Sequence, residues 1–355
     1  MASPYANMEL AILATKRALD ASEVPVRYWQ WDDWWYPGAP VFVNCVDEWE
    51  MLPEAFPSGL EGVRAELDGA PFLYYMPYWC QNATQWQPTT VASELWDFLT
   101  HSECGWACEY ALVDASQSLD FHAALFERYT QRGLAAFEQD FMVTSFLKTL
   151  LYRQRLDEYE RWALGLGDAA ERHSVPIQFC MATPSDVQLS VQMDWVTNAR
   201  TSDDYALPGN LANFGGGALL AWAFGLRPSK DSFWTSVEQG SRPYAAGSNP
   251  GTDLELNAIV AATSTGPVGI SDAAGRSNAT LAKRTCSADG ALLQPDKPLT
   301  PADRTLTSGW AQLAGGGRLW TSSATVEDAT LHLALATDVK NAASLPLLKT
   351  DLWCF

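Results

Sequence analysis

The sequence predicts a parallel α/β fold. Strand-like apolar runs alternate with helical segments from residue 9 to residue 272, and no GxGxxG loop turns that alternation toward a dinucleotide-binding sheet. Near residue 305 the pattern changes to short, Gly- and Thr-rich alternating stretches, which read as antiparallel β.

The first element is ELAILATKRALDA at 9–21, whose apolar residues recur at helical spacing. VPVRYWQW at 24–31 then switches to strand composition and runs into Asp32-Asp33. FPSGLEGVRAELDG reads as a helix stopped by Gly, and PFLYYMPYW at 71–79 as a buried strand that ends on Trp79. A Trp- and Cys-rich insertion at 80–117 precedes SLDFHAALFERYTQRG, a helix leading to the strand AAFEQDFM at 135–142. A helix over 145–172, the strand VPIQFCMA at 175–182 and the strand MDWVTNA at 193–199 continue the series. Two further units follow, with helix GALLAWAFG before the segment at 225–235 and helix ELNAIVAATS before TGPVGISD. GGRLWTSSATV and ATLHLALATDV supply the β pattern of the tail, and about 50 residues are short for a sandwich, which normally needs around 100.

Composition narrows the function classes. Forty-two acidic against 23 basic residues give a net charge of −19, which repels nucleic acid and anionic membrane surfaces. No stretch of about 18 apolar residues exists to span a bilayer. Sixteen Trp and 12 Tyr offer flat apolar rings with polar edges, which suit sugar rings, although core packing is the plainer use of any one Trp. Seven cysteines and four scattered His form no zinc-like spacing, so no metal is expected. Cys104 and Cys108 are close enough in CGWAC to bridge, and Asn82 and Asn278 open glycosylation sequons. These point to a secretory route while the N-terminus lacks an apolar h-region, so the sequence assigns no compartment.

The chemistry candidates are acids at strand ends. Asp140 closes a strand of aromatic and apolar residues, and in a barrel such acids converge on the mouth; capping the next helix is the structural alternative. RTSDDY at 200–205 brings Arg200, Asp203 and Asp204 together, where acids near an arginine can differ in proton affinity, or can simply form a turn. Asp32 and Asp33 stand among aromatics in WQWDDWWY. Glycoside hydrolysis needs two carboxyls flanking the scissile bond, and acids on different strands can supply them. The His residues fall in helices or loops, where a solvated role is expected, and no GxSxG is present.

These residues resemble a known family, the α-galactosidase and raffinose-synthase-like (melibiase-type) glycoside hydrolases of clan D. FEQDFM is similar to the strand carrying their nucleophilic aspartate, RTSDDY to the RxSDDF segment carrying their acid/base, WDDWW with FPSGL to DDGW...FPxGL, and STGPVGISD to their last barrel strand. The match covers roughly residues 25–300. It implies a (β/α)8 TIM barrel over residues 1–304, lacking its first strand, followed by a partial C-terminal β-sandwich over 305–355. It also implies a retaining hydrolase or transglycosylase for α-galactosides or related α-glycosides. Asp140 would be the nucleophile and Asp204 the acid/base with Asp203 its rival, while Asp32, Asp33, Trp79, Arg200 and Asp203 would bind the carbohydrate. Two carboxyls suffice, so no cofactor is expected. The chain departs from the family where DDGW becomes Asp32-Asp33-Trp34-Trp35 and KxD becomes Glu138-Gln139-Asp140. A catalytically inactive sugar-binding barrel and a protein-interaction scaffold are the alternatives.

Overall fold

The computed structural model describes residues 5–37, 45–80, 99–101, 110–149, 152, 154–204, 211–239, 253–307 and 318–337. The chain forms two compact units, Met1–Arg200 with Ala273–Gly275, and Thr201–Asp272 with Arg276–Phe355.

The first unit opens with helix α1 (Met8–Ala21), started by Asn7, whose side chain accepts the Leu10 N–H. Strand β1 (Trp29–Trp31), helix α2 (Gly59–Glu66) and strand β2 (Phe72–Met76) follow. Helix α3 (Ser118–Thr130) leads to β6 (Leu134–Gln139), which is reached after the insertion strands β3 (Trp79–Cys80), β4 (Leu99–His101) and β5 (Tyr110–Val113). The helix expected over 145–172 is interrupted after α4 (Met142–Lys148), where Thr149 turns the backbone to extended geometry, and α5 (Leu156–His173) carries the rest of the span. Strand β7 (Ile177–Phe179), helix α6 (Pro184–Leu189), capped through a reciprocal Thr183–Asp186 box, and strand β8 (Val196–Arg200) complete the unit.

Strands β1, β2, β6, β7 and β8 pair in that order, all parallel, as the alternation predicts. The insertion folds as an antiparallel sheet in the order β3-β5-β4. Cys104, Cys108 and the Asn82 sequon lie outside the described residues. Among the described residues a disulfide joins Cys45 to Cys80, beside a parallel bridge between Val46 and Trp79.

Behind the sheet lies an aromatic core. Trp49 packs on Tyr129 at 4.3 Å, on Trp35 at 5.6 Å and on Phe137 at 6.0 Å, ring centre to ring centre. Its indole N–H donates to the Tyr75 carbonyl at 3.0 Å. Trp31, Trp35, Trp49 and Trp79 are all fully buried, so packing is the use the fold makes of them. Gly165 in α5 lets that helix approach α3 closely, since a Cβ there would stand 2.7 Å from the Ser118 side chain.

One expectation is corrected here. His122 is not solvated: it is 1% exposed, against Phe121, Phe126, Phe137 and Trp162, because its position in α3 faces the sheet. Burial pushes its imidazole down to about 4, opposed only in part by the Ser118 carbonyl. The folded protein therefore prefers the neutral ring, a preference fully expressed above the unfolded value near 6.5 and lost as pH falls toward 4. Unfolding free energy should drop by roughly 3 kcal/mol across that window. Urea titrations of wild type and His122→Gln should show this component only in the wild type.

The second unit contains helix α7 (Leu211–Ala223), strand β9 (Arg227–Ser229), helix α8 (Leu254–Ala262) and the short helix α9 (Ala279–Ala282). TGPVGISD supplies a single parallel bridge, Ile270 to Phe233. Two residues on, Asp272 is tied down by the Thr235 backbone, the Thr235 hydroxyl and the Gln239 amide. The tail is an antiparallel sheet of β10 (Lys297–Pro301), β11 (Arg318–Val326) and β12 (Ala329–Thr337), with α10 (Asp303–Thr307) between the first two. Strand β10 begins before the composition change, so the sequence pattern missed it. Trp320 on β11 is sealed against Phe214, Ala218, Val260 and Leu299.

Candidate active site

The inner face of the first unit's sheet is polar. Side chains alternate along a strand, so residues two apart share a face, and register carries that face to the next strand. Glu138 pairs with Tyr75 on one side and Gln178 on the other, and Gln178 pairs with Asn198. Gln30 on β1 reaches the same layer, its amide donating to Glu138 Oε2 at 2.7 Å, and Asn198 Nδ2 donates to Gln178 Oε1 at 3.0 Å. Barrel interiors are ordinarily filled with Val, Ile and Leu, so a layer of Gln, Glu, Gln and Asn marks a place where polar groups are wanted.

Two residues further toward the carboxyl ends of the strands, the same face carries Asp32, Asp140, Cys180 and Arg200. Asp140 is 6% exposed and held on several sides. Its backbone N–H donates to the Met76 carbonyl at 3.0 Å, and its Oδ1 accepts the Phe141 N–H at 2.6 Å. The Tyr75 phenol and the Cys180 thiol lie beside its carboxyl. Phe141 sits in the left-handed region, φ 53° and ψ 30°, which turns the chain sharply into α4 straight after Asp140. Gln139 braces the turn by donating to the carbonyls of Met76, Pro77 and Asp140.

Burial pushes the Tyr75 and Tyr36 phenols and the Cys180 thiol well up, and nearby acids add to each shift. All three therefore keep their protons. Tyr36 is the residue that sequence reasoning missed. Its ring is 3% exposed, its hydroxyl feels Asp33, Asp32 and Asp140, and it has no hydrogen-bond partner among the described residues.

Asp33 is half-buried and its N–H donates to Asp32 Oδ1 at 2.7 Å. Arg200 ends β8, half-buried. Asp203 and Asp204 are exposed in the second unit, where the Asp231 N–H donates to Ser202 Oγ and Ser202 donates to the Asp203 carbonyl. Trp79 is 1% exposed, with its ring against Phe121, so it presents no open face to a sugar; the exposed indole beside the acids is Trp34. Among the described residues no His, Cys, Asp and Glu cluster has the arrangement of a metal site, and no helix is long and apolar enough to cross a membrane.

This is the fold of the α-galactosidase-type barrels, a parallel β/α layer with a C-terminal antiparallel β domain. No family model matches the chain, and no curated protein matches it. Among solved structures, a GH27 β-L-arabinopyranosidase from Geobacillus stearothermophilus is similar at TM-score 0.60 and 16% identity, over 90% of this chain and 78% of that one. The α-galactosidase from Lactobacillus brevis is similar at 0.56 and 14%, over 91% of this chain and 43% of the other. The galactosidase domain of an α-galactosidase-sucrose kinase is similar at 0.56 and 10%, over 90% and 42%. The chain thus spans less than half the length of the last two.

Proposed function

We propose that this protein is a retaining glycoside hydrolase or transglycosylase acting on α-galactosides or related α-glycosides, with Asp140 as nucleophile and Asp204 as acid/base. The observation that carries the reading is Asp140 itself: a buried strand-end carboxylate fixed by a left-handed turn, by its own N–H donating to Met76 and by the Phe141 N–H donating to its carboxyl. A group so held needs little reorganisation to attack.

In this mechanism the Asp140 carboxylate attacks the anomeric carbon while the acid, Asp204 or its neighbour Asp203, protonates the departing oxygen. A covalent glycosyl-Asp140 ester forms. The same acid residue, now a base, removes a proton from water or an acceptor hydroxyl, whose oxygen displaces Asp140. Two inversions leave the anomeric configuration unchanged. Asp32, Asp33, Arg200 and Tyr36 are assigned to sugar hydroxyls, and Trp34 to an apolar sugar face.

The test is hydrolysis of an aryl α-galactoside followed by proton NMR. The first sugar released should be the α anomer. Release of the β anomer would overturn the nucleophile role, and glycan binding without turnover would favour an inactive sugar-binding barrel.

A further inference from the structure

The buried acid that this mechanism does not use is Glu138. It is 2% exposed, two residues below Asp140 on the same face of β6. Its polar neighbours in the layer are neutral: Gln30 donates to it at 2.7 Å, and Gln178 pairs with it across β6 and β7, itself held by Asn198. Among the described residues, the titratable and charged groups around it are Tyr28 and Asp32 on the β1 side, Tyr75 on β2, Asp140 on its own strand, Cys180 after β7 and Arg200 on β8. Arg200 is, among the described residues, the cation that faces the carboxyls of Glu138, Asp32 and Asp140.

We propose that Glu138 is a positioning residue that carries its proton, so that this face holds two carboxylates beside Arg200 rather than three. Burial is the main cause that drives its carboxyl well above the usual range, and Asp32 and Asp140 add to it while Arg200 opposes. A further negative charge at Glu138 would compete with Asp32 and Asp140 for the Arg200 guanidinium and for the amide donors. With the proton in place, Arg200 remains available to the two acids at the rim. The placement of the proton follows from this unit's own geometry, and its part in turnover rests on the glycosidase reading above.

Glu138→Gln tests this, because the amide is a neutral near-copy of the protonated acid. A carboxyl whose folded value is raised costs stability progressively as pH rises above its unfolded value near 4.3, so removing it should help most at high pH. Urea midpoints of wild type and Glu138→Gln should coincide near pH 4, and the variant should be the more stable at pH 8. Aryl-glycoside turnover at neutral pH should be kept within about threefold in the variant, with its alkaline limb flattened. A variant less stable than wild type at pH 8 would mean that an ionised Glu138 pairs with Arg200, and would overturn the proposal. Should the variant not fold, the carboxyl carbon shift of Glu138 in labelled wild type at pH 7 decides: the acid position supports the proposal and the carboxylate position refutes it. If the wild type turns over no glycoside, the functional reading fails while the stability and NMR arms still answer for Glu138.

Discussion

Asp140→Asn should lower kcat on aryl α-galactosides by on the order of 10⁴–10⁶-fold, since it removes the nucleophile and leaves the site otherwise intact. The amide oxygen can still accept the Phe141 N–H, so stability should shift by no more than about 1 kcal/mol. A fold control is therefore built into the experiment: the same circular dichroism and nearly the same melting point, with almost no turnover. Asp140→Gly should carry the diagnosis further. With the carboxylate gone, added azide can enter the vacated space, displace an activated leaving group and give a glycosyl azide of inverted configuration. Turnover by Asp140→Asn within tenfold of wild type would remove Asp140 from the mechanism, as would azide rescue with retained configuration.

The second large effect concerns the Cys45–Cys80 disulfide, which closes a loop with a sequence separation of 35. Cross-linking a loop of that length restricts the unfolded chain by roughly 4 kcal/mol on the entropy model. Reduction, or the double substitution Cys45→Ala with Cys80→Ala, should cost about that much, measured as urea unfolding free energy with and without reductant. The loop encloses α2 and β2, and the bridge fastens β3 to the segment that follows the Asp32-Asp33 turn. Loss of stability should therefore be accompanied by a higher KM, because the turn carrying Asp32, Asp33 and Tyr36 is held less firmly. A reductant-insensitive unfolding curve would show that the bond adds nothing to folding.

Much of this architecture is legible in the sequence. Asp140 and Asp32 stand out because each ends a run of aromatic or apolar residues, and a charge at the close of such a run marks the end of a buried strand. What alternation along one strand does not reveal is which strands are neighbours and in what register. Glu138 and Gln178 each read as a polar residue within an apolar stretch, and only pairing through β6 and β7 shows that they form one layer with Asn198. Tyr36 and Cys180 read as core residues for the same reason: their significance lies in what they face. The disulfide was out of reach because local spacing favoured Cys104 and Cys108, whereas Cys45 meets Cys80 through a bridge between distant segments. Trp79 shows the converse error, a ring counted as a platform from its place at a strand end when its neighbours enclose it.

The hydrogen bond from Gln30 to Glu138 joins residues 108 apart in sequence, whereas Gln178 and Asn198, in the same layer, are 20 apart. Closing the longer loop costs about 1.5 kcal/mol more in chain entropy, and contacts of such separation are the ones that slow folding. The layer is expected to assemble from β7 and β8 outward, with β1 arriving last. On the proposal above, Glu138 should ionise before β1 docks and take up a proton as the sheet closes. Refolding of this unit should then slow as pH rises, tying the order in which the chain folds to the charge state of its interior.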